Sequence, residues 1–441
     1  MAAFAGLDVG TTSSKAVVFD EQGAVLGTGR ATTTWNVTAL GTEIDADALR
    51  RSAFDALSAA ADAAGVPVRA VGVTSMGESG VLTDTDERPL APVIAWHDDR
   101  DGAQVADLAN ALGAEAFGGI AGKPLRGQFA LTKHRWLLDH EPASRAATLR
   151  FDVGGWVVRS LGGEVAIELS LAGRTGWLDV ARCDWWDDAL AWSGARRELM
   201  PQLVQAGTPV GTVTSESVSP LLHGAVLVLA GHDHQASALG ARAVGSGDEL
   251  DSSGTAEALV RTVPRVPNRA DVARLAAAGI TTDPSIRPGH WSLLGGTEGG
   301  LAQNRALDLL GVGPDGLAAL DAAAERAPDG RVVVGGLGSD GLTLGGIAGG
   351  VGPGDVWKAV VAAAADQALG LHRAMDDVVG PASRVVVTGG WRHSAEVMRA
   401  KAARFDDLEV SAVEEAGALG AAVLAARATG AIGPDDHLGP R

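Results

Sequence analysis

Short apolar runs along the chain are broken by polar, glycine-marked stretches, and the spacing of the apolar residues switches between the strand and the helix period. Residues 4–9 and 15–20 are apolar and flank the polar stretch Gly10-Thr11-Thr12-Ser13-Ser14. Glu21-Gln22-Gly23 then turns the chain into a third run at 24–27, so three strands joined by tight turns are predicted. Asp45 is a good N-cap for a helix ending near Gly65, with Leu49, Phe54, Leu57 and Ala61 at helical spacing, and a buried strand follows at 68–74. Residues 100–220 read as helical with irregular links, and Trp185, Trp186 and Trp192 there are assigned to core packing. A buried strand at 226–230 opens a second unit. Helices are expected over 355–379, 394–405 and 414–428, with a strand over 385–387. The proline-bearing stretch 264–295 reads as a surface excursion.

Leu250-Asp251-Ser252-Ser253-Gly254-Thr255 echoes Leu7-Asp8-Val9-Gly10-Thr11-Thr12, which points to two strand–turn–strand units, one opening each half. Strands alternating with helices give an α/β fold class, and the repeat divides the chain into 1–224 and 225–441. A length of 441 residues gives each half enough chain for its own core.

Composition narrows the partners. The net charge of −18 repels nucleic-acid phosphate and anionic lipid, so neither nucleic acid nor membrane is an expected partner. Cys183 is the one cysteine, which rules out an intrachain disulfide and fits a reducing cytoplasm. The N-terminus lacks a basic region followed by a long apolar core, and the apolar runs are too short to span a bilayer, so a cytoplasmic location is expected.

The chemistry gathers at the turns. Asp8-Val9-Gly10-Thr11-Thr12-Ser13-Ser14-Lys15 delivers a carboxylate to a Gly-hydroxyl turn, where backbone N–H groups and hydroxyls can donate to phosphate oxygens and Asp8 can hold Mg²⁺ through water. No Walker-type loop is present. With the second turn at Ser253-Gly254-Thr255, two hairpins could grip one triphosphate from both sides. Thr388-Gly389-Gly390 ends a strand, where paired glycines let a flat base lie against the backbone. Gly231-His232-Asp233-His234 follows a buried strand, and Asp233 there is a candidate base for an attacking hydroxyl. A His-Asp-His metal site is disfavoured, because alternate residues of an extended chain point to opposite faces; the two histidines are expected to line the pocket or pack locally.

Taken in order, six segments resemble the FGGY family of carbohydrate kinases: Gly6-Leu7-Asp8-Val9-Gly10-Thr11-Thr12-Ser13-Ser14-Lys15-Ala16, Trp96-His97-Asp98-Asp99-Arg100, Ala230-Gly231-His232-Asp233-His234, Ser253-Gly254-Thr255, Gly389-Gly390 and Ala418-Leu419-Gly420-Ala421-Ala422. The resemblance implies two actin-like, ribonuclease-H-type domains flanking a deep catalytic cleft, with the sugar mainly on the first and ATP mainly on the second. It implies Asp233 as catalytic base, and Asp8 with Asp233 as the Mg²⁺ carboxylates. Gly10, Thr11, Thr12, Ser13, Lys15, Gly254, Thr255, Gly389 and Gly390 would hold the nucleotide, and Met76, Glu78, Trp96, Asp98 and His234 the substrate. Xylulose kinases usually carry Gln-Met-His-Gly where this chain has Ser75-Met76-Gly77-Glu78, and glycerol kinases carry Arg-Glu at the Gly77-Glu78 position. The expected activity is ATP-dependent phosphorylation of a small sugar, first a ketopentose such as xylulose, with a glycerol- or erythritol-type polyol as alternative. A nucleotide-binding regulator and a phosphohydrolase are the competing classes, and homodimerisation is left open.

Overall fold

The computed structural model describes residues 2–254, 256–338 and 341–439, which form two six-stranded sheets with helices packed on them. In the first sheet, β1 (Ala3–Val9), β2 (Ser13–Asp20) and β3 (Val25–Thr32) make an antiparallel meander. β4 (Ala70–Ser75) lies parallel to β1, β6 (Val226–His232) lies parallel to β4, and β5 (Pro209–Thr212) is antiparallel to β6 at the edge. In the second sheet, β7 (Asp248–Ser253), β8 (Glu257–Val263) and β10 (Trp291–Thr297) form the meander, with β9 (Thr281–Pro284) at its edge. β11 (Arg384–Thr388) runs parallel to β7, and β12 (Leu408–Val410) parallel to β11. The two sheets share one core order, β3-β2-β1-β4-β6 and β10-β8-β7-β11-β12. The short repeat in the sequence is therefore the trace of a repeated sheet.

Helices cover these sheets: α1 (Ala46–Ala64), α2 (Ala114–Ala121), α3 (Asp233–Gly240), α4 (Arg269–Ala277), α5 (Pro353–Val379), α6 (Ala395–Ala402) and α7 (Ala416–Ala428). α1 shows how local chemistry sets the limits. Asp45 Oδ1 accepts the Ala48 N–H at 2.9 Å, and Gly65 closes the helix in the left-handed region at φ 64°. The face carrying Leu49, Phe54 and Leu57 is buried in the first core. Trp185 is buried in a second core cluster, with Trp186 and Trp192 packed against it, as assigned from the sequence.

Two expectations need correction. The first concerns the boundary at 224/225. β6 and α7 lie beyond it in sequence, yet β6 pairs with β4, and α7 packs on β1, β4 and α3. The physical cause is the composition of α7, which is alanine and glycine over much of its length and buried from Ala416 to Ala426. It approaches the first sheet at two glycines: a Cβ on Gly6 would sit 1.8 Å from the Ala418 carbonyl oxygen, and one on Gly72 would sit 2.0 Å from that of Ala421.

The second concerns 264–295, which is no surface excursion. It contains α4, β9 and the first half of β10, and Val272, Leu275, Ile280 and Leu293 are buried. Pro284 ends an edge strand, where a missing N–H is tolerated.

The contact between α7 and the sheet predicts that Gly72→Ala destabilises the protein by about 1–3 kcal/mol through overpacking. A fall in Tm, read by thermal melting beside the wild type, checks this; an unchanged Tm would mean that α7 does not sit as described.

Candidate active site

Asp233 is aimed by an irregularity in its strand. The register of β6 against β4 shifts between Leu229 and Gly231, and Gly231 has φ 88°. Thr74 Oγ1 donates to the Gly231 carbonyl at 2.6 Å, and Ser170 Oγ accepts the His232 N–H at 2.9 Å while donating to buried Glu168. The strand therefore ends in a fixed turn, with Asp233 as first residue of α3. Asp233 Oδ1 accepts the His234 N–H at 2.6 Å and lies 3.3 Å from His232 Nε2. Both contacts fall on Oδ1, none to Oδ2 is found among the described residues, and the side chain is 23% exposed.

Asp8, near the end of β1, stands opposite Lys15 and beside Thr74. Its Oδ1 is buried without a partner, and its Oδ2 lies against Gly417 of α7, where a Cβ would come within 2.8 Å. Burial first, and the Asp233 charge second, push the Asp8 carboxyl up to about 7 against the pull of Lys15. Burial also raises Asp233 to about 7, with Glu78 adding to the rise and the His234 N–H and Arg174 opposing it. The two carboxyls thus share one electrostatic site. His234 is lowered to about 4, and His232 is held well below the ordinary histidine value, by burial and then by Arg174, so both imidazoles stay neutral near pH 7.

The first phosphate turn is closed by the Gly10 N–H to the Ser13 carbonyl at 3.2 Å. Thr12 is exposed and its hydroxyl has no partner among the described residues, while Ser13 Oγ is buried without one. These two fit the expected phosphate contacts. Thr11 and Lys15 are otherwise engaged. Thr11 Oγ1 accepts from Trp96 Nε1 at 2.8 Å and reaches Met76 Sδ at 3.7 Å, and the Thr11 carbonyl accepts from Trp35 Nε1 at 2.6 Å. Lys15 Nζ pairs with Glu415 at 2.9 Å, just before α7.

On the second sheet, Gly389 has φ 87°, and a Cβ there would lie 2.3 Å from the Ser253 carbonyl oxygen. The Gly389-Gly390 loop and the Ser253-Gly254 turn therefore touch, which joins the two expected nucleotide elements. Gly390 is exposed with open space around it. The Trp391 ring turns inward against Trp357 at 5.8 Å and leaves that space clear. Thr255 lies outside the described residues. Beneath the turn, Lys401 of α6 donates to both Asp251 and Glu257.

The substrate-side expectations divide. Met76 is buried at 2% in the first core, so it supports the turn from below. Trp96 and His234 are half-buried beside the turn and the Asp233 centre. Asp98 is a correction. Its Oδ1 accepts from Arg100 N at 3.0 Å and Nε at 2.8 Å, and its Oδ2 accepts from Arg100 Nη2 at 3.1 Å and from Thr42 N. A carboxylate has about four acceptor sites, so Asp98 has none left for a sugar. Burial would raise its pKa, but these bonds hold it below the usual carboxylate range. Asp98 fastens the loop instead.

Glu78 is buried at φ 64°, a strained conformation for a residue with a side chain. Its Oε1 accepts from Arg174 Nε at 2.9 Å, from Arg174 Nη2, and from Gln128 Nε2 at 3.0 Å. All of these bonds fall on Oε1, and none to Oε2 is found among the described residues. Sequence reasoning missed Arg174, Gln128 and Lys401. A lone arginine in the apolar stretch Leu169-Ser170-Leu171-Ala172-Gly173-Arg174-Thr175-Gly176-Trp177 was the available signal for the first.

Residues 3–240 match the FGGY family of carbohydrate kinases, N-terminal domain. A glycerol kinase from Aromatoleum aromaticum is 31% identical over 96% of this chain and 89% of its own length. The chain belongs to the FGGY family of carbohydrate kinases. A xylulose kinase from Rhodospirillum rubrum superposes with a TM-score of 0.87 at 25% identity, covering 99% of this chain and 91% of that one. Plasmodium falciparum glycerol kinase with ADP has the same fold, with a TM-score of 0.86 at 18% identity over 99% and 91% of the two chains. The protein is thus a phosphotransferase acting on a sugar or polyol, and its family implies ATP as the donor. No helix of the described residues is long and apolar enough to cross a membrane.

The raised carboxyls make a stability prediction. Asp8 moves from 3.8 to about 7, so the folded state binds its proton more tightly than the unfolded chain does. Stability is lost as pH climbs between those values, and the loss is complete above the upper one. Asp8→Asn is therefore expected to raise Tm near pH 8, with the gain shrinking as pH falls toward about 4. Melting curves of both proteins across that range check it.

Proposed function

We propose that this kinase phosphorylates one hydroxyl of a short linear polyol of the glycerol type, with Asp233 as general base and Glu78 as acceptor for a neighbouring hydroxyl. One observation carries the reading: no hydrogen bond to Asp233 Oδ2 or Glu78 Oε2 is found among the described residues, while the other oxygen of each carboxylate is bonded to the protein. The two side chains also feel each other, since Glu78 contributes to the raised pKa of Asp233. An alcohol placed between them meets a proton acceptor at one oxygen and an orienting acceptor at the next. The terminal phosphoryl group of ATP passes to the hydroxyl oxygen, ADP departs, and the hydroxyl proton goes to Asp233. Neutral His232 and His234 add no positive charge that would weaken this base.

Magnesium fits the same residues. Asp8 Oδ1 is a buried carboxylate oxygen without a partner, and the Asp233 charge is close enough to help raise the Asp8 carboxyl. No group of three or more His, Cys, Asp or Glu residues among those described could hold a metal. That suits an ion held by one or two carboxylates, with water and phosphate completing its shell. When bound, it would neutralise charge on the triphosphate. Thr12, Ser13, Gly254, Gly389 and Gly390 are the proposed nucleotide contacts.

The polyol is favoured by the glycerol kinase relative at 31% identity and by Glu78 in the position where the family's glycerol kinases carry glutamate. The second reading is a ketopentose such as xylulose, supported by the likeness to the Rhodospirillum rubrum enzyme. Measuring kcat/KM with Mg²⁺-ATP across glycerol, erythritol and D-xylulose separates them. A preference for the polyols is expected, a preference for xylulose would install the second reading, and no turnover of any of the three would sink both.

Asp233→Asn is expected to lower kcat by about 10²–10⁴-fold while ATP still binds. Retained turnover would place the base elsewhere.

A further inference from the structure

We infer that Arg174 is a positioning residue for substrate binding: it occupies Oε1 of Glu78, leaves Oε2 as the single acceptor for a substrate hydroxyl, and is itself held by the second sheet. This rests on the proposed role of Glu78.

The geometry begins at Gly77. A Cβ there would come within 2.8 Å of Arg174 Cγ and 2.9 Å of its Cβ, so the missing side chain lets the arginine stem pass directly over the substrate loop. The guanidinium then forks. Nε and Nη2 donate to Glu78 Oε1, Nε at 2.9 Å. Nη1 donates to Thr281 Oγ1 at 2.7 Å and lies 3.4 Å from Asp283 Oδ2. Thr281 and Asp283 belong to β9, the edge strand of the second sheet. Asp283 is fixed in turn by Lys123 Nζ at 2.7 Å, and Lys123 also donates to the Thr282 carbonyl at 2.8 Å.

All four charged side chains are at most 4% exposed, and two cations face two carboxylates. Such a set is stable only when complete, because loss of one member strands a buried charge. A planar guanidinium can serve both sides at once, which the point charge of a lysine cannot. Gln128 donates to the same Oε1 at 3.0 Å, so three donors converge on one oxygen of Glu78. The carboxylate is thereby kept from turning, and its two oxygens become unequal. Discrimination follows, since a site built around one unfilled acceptor rejects ligands lacking the matching hydroxyl.

The test has two arms. In the kinetic arm, Arg174→Met is compared with wild type on glycerol and D-xylulose. The expected result is a KM for the acceptor raised roughly 10–100-fold, the equivalent of one hydrogen bond to a charged group, with KM for ATP little changed. In the Glu78→Gln background the same substitution should add little further, because the two residues act as a unit. Fully additive losses, or an ATP KM that rises equally, would overturn the inference in favour of a general structural role. If Arg174→Met does not fold, Arg174→Lys is read the same way.

The structural arm needs no turnover. A crystal structure of Arg174→Lys should show the Glu78 carboxylate rotated, and unchanged oxygens would refute the positioning role. Failure of the wild type to phosphorylate any panel substrate bears on the proposed function, while an unmoved Glu78 bears only on Arg174.

Discussion

Keeping two buried carboxyls, Asp8 and Asp233, within electrostatic reach of each other on one set of strands is the constraint around which this fold is arranged. Each carboxyl is raised to about 7, burial being the largest cause for both and the Asp233 charge the second for Asp8. Isolated in an interior, two such groups would favour protonation or separation. They stay together because both grow from one stiff set of strands, Asp8 on β1 and Asp233 just past β6, with β4 hydrogen-bonded between. α7 closes the site from behind. Its glycine-mediated approach to β1 and β4 brings Gly417 onto the Asp8 carboxylate, and Glu415 just before it pairs with Lys15. A helix late in the chain, packed on the first sheet, is thus part of the support of the candidate site, which a boundary drawn at 224/225 hides.

The repeated sheet makes the asymmetry of the site informative. Asp8 and Asp251 occupy corresponding strands, β1 and β7, each ahead of a Gly-hydroxyl turn. Their surroundings differ. Asp251 receives Lys401, which also bonds Glu257 across the hairpin, so that carboxylate braces the second turn. Asp8 has Lys15 opposite it, but Lys15 is drawn away to Glu415. Neither Asp8 oxygen has a hydrogen-bond partner among the described residues, whereas Asp251 leaves only its Oδ1 unmatched; burial raises both carboxyls to about 7. One motif therefore serves two purposes, set by where the nearest cation is anchored. The bare motif does not say which copy is braced by a lysine.

Much of this was legible in the sequence where the signal is local. The three opening strands, the cap at Asp45, the helix expected over 355–379 and found at Pro353–Val379, and the buried strand leading to Asp233 all follow from period, capping and turn chemistry. What escaped was long-range. Nothing local marks α7 as a partner of β1, because alanine and glycine build any close contact. The stretch 264–295 was misread because its prolines resemble loop punctuation, while Pro284 sits on an edge strand. Asp98 was misread for a different reason: a carboxylate near a candidate pocket looks like a ligand until its acceptors are counted, and Arg100 and Thr42 fill them.

The charges around the substrate loops bear on what kind of ligand belongs there. Lys123, Lys133, Arg100 and Arg174 all lie near Glu78 or Asp98, and a basic cluster of this kind invites the idea of an acidic sugar. Each of the four is already paired: Lys123 with Asp283, Lys133 with Asp101, Arg100 with Asp98 and Glu43, and Arg174 with Glu78 and Asp283. Arg126 has no acidic partner among the described residues; burial and the Arg174 charge lower its pKa while Glu78 opposes them, so it lies by the same loop as an unpaired cation. A carboxylate or phosphate brought to any of the four paired cations would have to displace a buried pair, and breaking such a pair is costly; of the cations around these loops, Arg126 alone is open to one without that cost.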